Sequence, residues 1–158
     1  HVIRCKTAEL FEAATRLGAV LGGAGQAGEE AMAAYGMHLG TAFQLIDDVL
    51  DYSGSAVEMG KNVGDDLGEG KATLPLIHAM RNGSPAAAAR VGVAIEHGGI
   101  EELSPVLDAI RHSGALDYTR AQAEAEARVA CQKVAHLPRS THLDTLLELA
   151  RFAVERNF

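Results

Sequence analysis

Apolar residues along this chain recur at steps of three and four, and glycines and prolines fall between the runs rather than within a two-residue alternation. Leu10, Ala14, Leu17 and Leu21 mark a helix over residues 6–21 that stops at Gly22 and Gly23. Met32, Tyr35, Leu39, Phe43, Ile46 and Leu50 mark a second, longer helix over residues 26–52, with these six positions as its buried stripe. Gly36 and Gly40 interrupt that helix, each costing about 1 kcal/mol against Ala in a helix interior, so close approach of another helix is expected there. Phe43 fits either the core or the wall of a ligand cleft.

Further along, Thr73, Leu74 and Pro75 open a short helix closing at Gly83, and Ser84-Pro85 is a helix start with Ser as N-cap and Pro at the first position. That helix passes Arg90 and Ile95 and ends at Gly98-Gly99. Ser104-Pro105 repeats the start signal, with residues 101–103 as an alternative beginning, and Gly114 breaks the chain again. An alanine-rich helix over residues 115–135 and an amphipathic one over 143–154 are separated by Pro138. The pattern predicts an all-α fold in one domain, residues 1–158, packed as a largely antiparallel bundle because short breaks favour antiparallel neighbours. The late helices carry solvated charge and core stripes, and no chemistry is assigned to them.

Chemistry concentrates in FQLIDDVLDYSGSAVEMGKNVGDDLGEGK, residues 43–71. At ~100° per residue, Gln44, Asp47, Asp48 and Asp51 share one face of the second helix, away from its apolar stripe. Asp47 and Asp51 stand on consecutive turns, where like charges destabilise a helix by a few tenths of a kcal/mol. A divalent cation would offset this, and hard oxygen ligands without Cys or His favour Mg²⁺. Magnesium takes few carboxylates and fills its shell with water and phosphate, so a phosphate ligand is implied. The following loop supplies Lys61 and Lys71 as ammonium charges, and Gly60, Gly64, Gly68 and Gly70 permit close backbone approach to an anion. Asp65, Asp66 and Glu69 are interleaved with them, either to hold the lysines or to reach the metal through water. Lys6 and Thr7 open the first helix, where free N–H groups favour an anion; a bare N-cap and a solvated lysine are the alternative.

Composition narrows the partners. A net charge of -7 argues against non-specific nucleic-acid binding. No apolar run reaches the ~20 residues of a membrane span and no signal-peptide pattern opens the chain, which leads to the expectation of a cytoplasmic protein without a transmembrane segment. Cys5 and Cys131 are far apart and outside any CxxC pattern, reading as reduced thiols, and the seven histidines show no ligand spacing.

FQLIDDVLDY followed by GKNVGDDLGEGKATLPL resembles the second aspartate-rich motif and following loop of trans-isoprenyl diphosphate synthases, and KATLPLIHAM is similar to the long-chain, octaprenyl-type branch of that polyprenyl synthetase family. The resemblance runs from KTAELFEAA to the last helix. It implies a partial isoprenoid-synthase-type bundle, with Asp47, Asp48 and Asp51 as the Mg²⁺ cluster and Asp47 as the direct ligand. It further implies that Gln44 contacts the allylic substrate, that Lys61 and Lys71 hold the allylic diphosphate, and that Lys6 and Thr7 are the family's Lys-Thr pair. The first aspartate-rich motif, the upstream basic residues for isopentenyl diphosphate and the helix that sets chain length are not found in the sequence, so the chain is expected to be the C-terminal half of such an enzyme.

The implied activity is Mg²⁺-dependent condensation of an allylic prenyl diphosphate with isopentenyl diphosphate to a long-chain, octaprenyl-like diphosphate, with the 158-residue chain alone inactive. A non-catalytic, diphosphate-binding fragment or subunit is the alternative. A terpene cyclase shares the helical class and the metal chemistry, but the lysine-bearing loop and the Lys-Thr pair speak against it. A homodimer, or assembly with a complementary chain, is the expected state.

Overall fold

A computed structural model describes residues 1–53, 63–98 and 102–156. They form helices joined by short turns, and no strand occurs among them. The chain turns helical at Val2 and passes through a π-helical turn, Arg4–Ala8, directly into α1 (Glu9–Leu21). It continues with α2 (Gly25–Tyr52), the single turn α3 (Asp65–Gly68), α4 (Leu74–Asn82), α5 (Pro85–His97), α6 (Leu103–His112), α7 (Ala115–Val134) and α8 (Thr141–Glu155). The Gly and Pro punctuation sets most of these ends: Ser84 caps α5 by accepting the Ala87 N–H, and Gly98 closes it in the left-handed conformation.

The described residues pack as two compact units, and α2 and α7 contribute residues to both. In the first, His1–Ile46 with Gln122–Arg156, the core gathers Tyr35 and Leu39 of α2, Ala130 and Val134 of α7, and Leu143, Ala150 and Ala153 of α8. The Tyr35 hydroxyl donates to the Leu146 carbonyl at 2.7 Å, and His38 Nδ1 lies 2.5 Å from a Glu126 carboxylate oxygen. The first helix lies on the two glycines of α2. A Cβ at Gly36 would run into Thr15 Oγ1 and the Phe11 carbonyl, and one at Gly40 would come within 2.7 Å of Ala8 Cα. Thr15 seals this contact by donating to the Met32 carbonyl at 2.7 Å.

The stripe that marks α1 in the sequence is not the face it packs. Leu10, Leu17 and Leu21 are 74%, 60% and 88% exposed, while Ala8 and Ala19 are buried and Phe11 and Thr15 half-buried. Small side chains win at that contact because only they fit against a backbone stripped of Cβ atoms.

The second unit, Asp47–Ala121, centres on Tyr52, Leu67, Leu76, Val91, Val106 and Ile110. Here α4, α5 and α6 pack on one another, and the α3 turn packs on α5. Gly64 opens that turn at φ +83°, and a Cβ there would strike Leu103. The sequence reads residues 60–71 as an open loop; from Asp65 to Gly68 the chain instead winds into a helical turn whose Leu67 is fully buried.

Candidate active site

In the first unit, Lys6 and Thr7 do not open a helix. Val2 and Ile3 are already helical, so both residues lie inside continuous helical backbone, contrary to the expectation of free N–H groups. No Gly or Pro precedes them to delay helix formation. Thr7 is therefore not an N-cap; its Oγ1 donates to Gln44 Oε1 at 2.7 Å, while Lys6 is exposed. The structure thus brings together Thr7 and Gln44, two of the candidate residues. Phe43 beside them is half-buried, with the Phe11 ring centroid 5.6 Å away on one side and the Arg156 guanidinium 4.1 Å from its ring centre. Arg156 also donates to the Phe43 carbonyl at 3.1 Å, so Phe43 is packed on two sides by protein.

In the second unit the end of α2 carries Asp47 and Asp51, half-buried, and Asp48, which is only 4% exposed. Asp51 ties the loop to the helix twice. Its carbonyl accepts the Gly64 N–H at 3.0 Å and its Oδ2 accepts the Asp66 N–H at 3.3 Å. Burial pushes the Asp51 carboxyl up to about 6, and the charges of Asp66 and Asp65 push the same way against the backbone N–H groups of those residues. A crowded, half-buried set of carboxylates is an environment that a cation relieves.

Lys71 faces this set from the loop. Its Nζ lies 2.7 Å from Asp66 Oδ1 and 2.8 Å from Glu69 Oε2, and these two hydrogen-bonded carboxylates hold its ammonium charged well beyond the ordinary lysine range. Of the two roles open to the loop acids, Asp66 and Glu69 therefore take the first: they hold a lysine. Lys61 and Gly60 lie outside the described residues. In the sequence Asp66 is one of several loop acids; its central place follows from the α3 turn, which aims its N–H at Asp51 and its carboxylate at Lys71.

Tyr52, next to Asp51 on α2, buries its phenol in the core of this unit. Burial raises the ionisation of Tyr52 far above that of free tyrosine, the neighbouring Thr73 hydroxyl opposes this, and the charges of Asp51, Asp66 and Asp48 add to it. In the sequence Tyr52 marks only the end of the second helix and Thr73 only the start of a short one, so neither carries a functional signal.

The donor set around α2 fits magnesium better than zinc or a closed protein cage. All available ligands are carboxylate oxygens, and among the described residues no three His, Cys, Asp or Glu side chains converge closely enough to hold an ion by themselves. Such a site would complete its coordination with water and phosphate, as Mg²⁺ prefers.

Residues 1–110 match the polyprenyl synthetase family model. The chain belongs to the polyprenyl synthetase family. It is 48% identical over 158 residues to octaprenyl diphosphate synthase of Escherichia coli, covering 99% of this chain and 49% of that protein. It is likewise 48% identical to octaprenyl diphosphate synthase of Haemophilus influenzae. Among solved structures, a polyprenyl synthase of Caulobacter crescentus complexed with calcium and isoprenyl diphosphate superposes with a TM-score of 0.91 at 43% identity, over 99% of this chain and 48% of that one. The chain spans about half the length of the polyprenyl synthetases it matches. No helix among the described residues is long and apolar enough to cross a membrane.

Proposed function

We propose that this chain is the part of a Mg²⁺-dependent prenyltransferase that holds the allylic diphosphate, in an enzyme that condenses an allylic prenyl diphosphate with isopentenyl diphosphate to an octaprenyl-like product. The observation that carries the reading is the run of contacts from Asp51 through Asp66 to Lys71, which sets carboxylates and an ammonium group around one half-buried position in a chain of this family. Asp47, Asp48 and Asp51 would hold the metal, with Asp47 as direct ligand. Mg²⁺ bound there supplies positive charge that stabilises a departing diphosphate.

The chain's own residues divide the remaining work. Lys71, held by Asp66 and Glu69, presents a fixed cation to the diphosphate and stabilises the charge that grows on it as the allylic C–O bond breaks. Lys61 and Lys6 add to that charge. Thr7 fixes Gln44 in a single orientation on α2 so that its amide can meet the substrate. The allylic cation then alkylates the double bond of isopentenyl diphosphate, and the proton lost from the condensed product passes to the released diphosphate. The setting proposed is cytoplasmic.

The test is incorporation of radiolabelled isopentenyl diphosphate by the full-length protein that carries this chain. Mg²⁺-dependent incorporation that is lost in Asp47→Ala and Lys71→Ala supports the reading, and the 158-residue chain alone is expected to incorporate none. A full-length protein that elongates nothing, or elongates equally well with either substitution, defeats it.

A second reading is a diphosphate-binding subunit that pairs with a complementary chain. It is favoured by one relative, 33% identical over 156 residues, that bears the name heptaprenyl diphosphate synthase component 2, in Bacillus subtilis. Activity that appears only on mixing two chains would select it.

A further inference from the structure

Three exposed arginines of this chain are matched by an acid one turn away on their own helix: Arg16 by Glu12 at 2.9 Å, Arg111 by Asp108 at 3.0 Å and Arg128 by Glu124 at 3.9 Å. Such pairs are easily formed where Asp and Glu number 21 in 158 residues. Residues 72–95 depart from this. They contain Arg81 and Arg90 but neither Asp nor Glu, so neither arginine has an acid within a turn of it on its own helix. Both side chains are exposed, and among the described residues neither is in an ion pair. In a chain of net charge -7, α4 and most of α5 therefore present a face of the opposite sign.

That face is also apolar. Met80 of α4 and Val93 of α5 are exposed, and the Met80 methyl lies over Gly92, where a Cβ would stand 3.6 Å from it. Ala86, Ala89 and Val93 recur at steps of three and four and form one exposed stripe of α5, with Arg90 beside it. At the head of α5 a cavity of about 560 Å³ opens towards α6, lined by Ser84, Arg90 and Ser104, with Asp108 on its wall already paired to Arg111. The Ser84 oxygen accepts the Ala87 N–H, which leaves its O–H to donate. Guanidinium and hydroxyl donors around a recess match phosphate oxygens, and the neighbouring apolar side chains match the acyl boundary beneath them. The other end of α5 meets the loop of the candidate site, since a Cβ at Gly98 would come within 2.8 Å of the Gly68 carbonyl.

We propose that the α4–α5 face is a docking surface for an anionic lipid bilayer, with Arg81 and Arg90 on lipid phosphates and Met80 and Val93 entering the boundary between headgroups and acyl chains. Charge complementarity selects an anionic partner. The choice of a bilayer rests on the prenyltransferase reading above, because a long-chain prenyl diphosphate carries a tail that leaves water for lipid. Attachment of this kind is peripheral and reversible, each arginine near an anionic surface contributing about 5-fold in affinity. It would hold the enzyme where its product is taken up.

The test is co-sedimentation of the full-length protein that carries this chain with two kinds of vesicle, phosphatidylcholine alone and an equal mixture of phosphatidylcholine and phosphatidylglycerol, at low and high salt. Incorporation of isopentenyl diphosphate in detergent solution and thermal unfolding are followed alongside. The wild type is expected to bind the anionic vesicles, to leave the neutral ones, and to come off at high salt. Arg81→Gln and Arg90→Gln are each expected to weaken that binding about 5-fold and together about 25-fold, and Val93→Gln to weaken it further, all with the wild-type melting temperature and incorporation. The inference is overturned if the wild type binds neither vesicle, binds both equally, or is matched by the double arginine variant. Uptake of soluble glycerol phosphate without any vesicle binding would make the cavity a small-molecule site and overturn it as well. A wild type that incorporates isopentenyl diphosphate but does not dock defeats this inference alone. One that docks as expected but incorporates nothing upholds the docking surface and defeats the prenyltransferase reading.

Discussion

Asp66 binds Lys71 with its side chain and Asp51 with its backbone: the Lys71 Nζ lies 2.7 Å from Asp66 Oδ1, while the Asp66 N–H donates to Asp51 Oδ2 at 3.3 Å. One residue therefore connects the acidic end of α2 to the lysine of the loop. Removing the Asp66 charge should release Lys71 from one of its two carboxylates and leave Glu69, an exposed partner, as the other. Asp66→Asn is accordingly expected to weaken diphosphate binding several-fold by loosening Lys71, and Lys71→Ala to weaken it further. Titration calorimetry checks the order. Tighter binding in Asp66→Asn than in the wild type would mean that Asp66 competes with the ligand for Lys71 instead of presenting it.

At Gly36 the backbone of α2 lies against α1 with no room for a Cβ. A methyl group there would meet Thr15 and the backbone of Phe11, neither of which is the far end of a flexible chain. Gly36→Ala gains helix propensity of about 1 kcal/mol, but the forced separation of two helices is expected to cost more, leaving a net destabilisation of about 1–3 kcal/mol. Urea unfolding measures this. A stabilised Gly36→Ala would mean that the helices are less tightly apposed than described.

Tyr35 carries a pH dependence with a definite sign. Burial, assisted by Cys131, pushes its phenol up to about 12 in the folded chain, against 10.0 for the free side chain. Above pH 10 the unfolded chain releases this proton while the folded chain keeps it, so stability is full below that point and declines as pH rises towards about 12. Tyr35→Phe should lose the hydrogen bond to Leu146, about 1 kcal/mol at neutral pH, and show a shallower alkaline decline than the wild type. Unfolding midpoints collected from pH 8 to 12 test it, and identical alkaline slopes would contradict it.

Caps provide an internal control. Ser84→Ala and Ser140→Ala each remove an acceptor from a free helix N–H and should each cost about 0.5–2 kcal/mol. Thr73 makes no capping bond, so the stability lost in Thr73→Ala should contain no comparable cap contribution.

The helices were legible because their ends are written in Gly, Pro and Ser, and α4, α5 and α8 begin within a few residues of the positions those signals mark. The all-helical class follows from the same pattern. What the pattern withholds is which face finds a partner. Leu10, Leu17 and Leu21 announce a helix by their spacing, but the packed side of α1 is the one with Ala8, Phe11, Thr15 and Ala19, selected by the glycines of another helix. Spacing also placed Asp47, Asp48 and Asp51 on one face without revealing that Asp48 is buried. The pairing of Thr7 with Gln44 spans 37 positions and has no local signal at all. Thr73 shows the same limit from the other side: its residue type and position say N-cap, and only the packing shows its hydroxyl buried without a capping bond.

The central claim is that the aspartates of α2 and the lysines of the following segment grip one anion from two sides, through a metal and directly. Calorimetric titration of diphosphate into this chain, with and without Mg²⁺, measures that coupling most directly, with Asp47→Ala and Asp51→Ala as companions. Weak binding of either ligand alone, markedly tighter binding of diphosphate when Mg²⁺ is present, and a larger loss of the metal-dependent part in Asp47→Ala than in Asp51→Ala are expected. Equal diphosphate affinity with and without Mg²⁺ would contradict the claim.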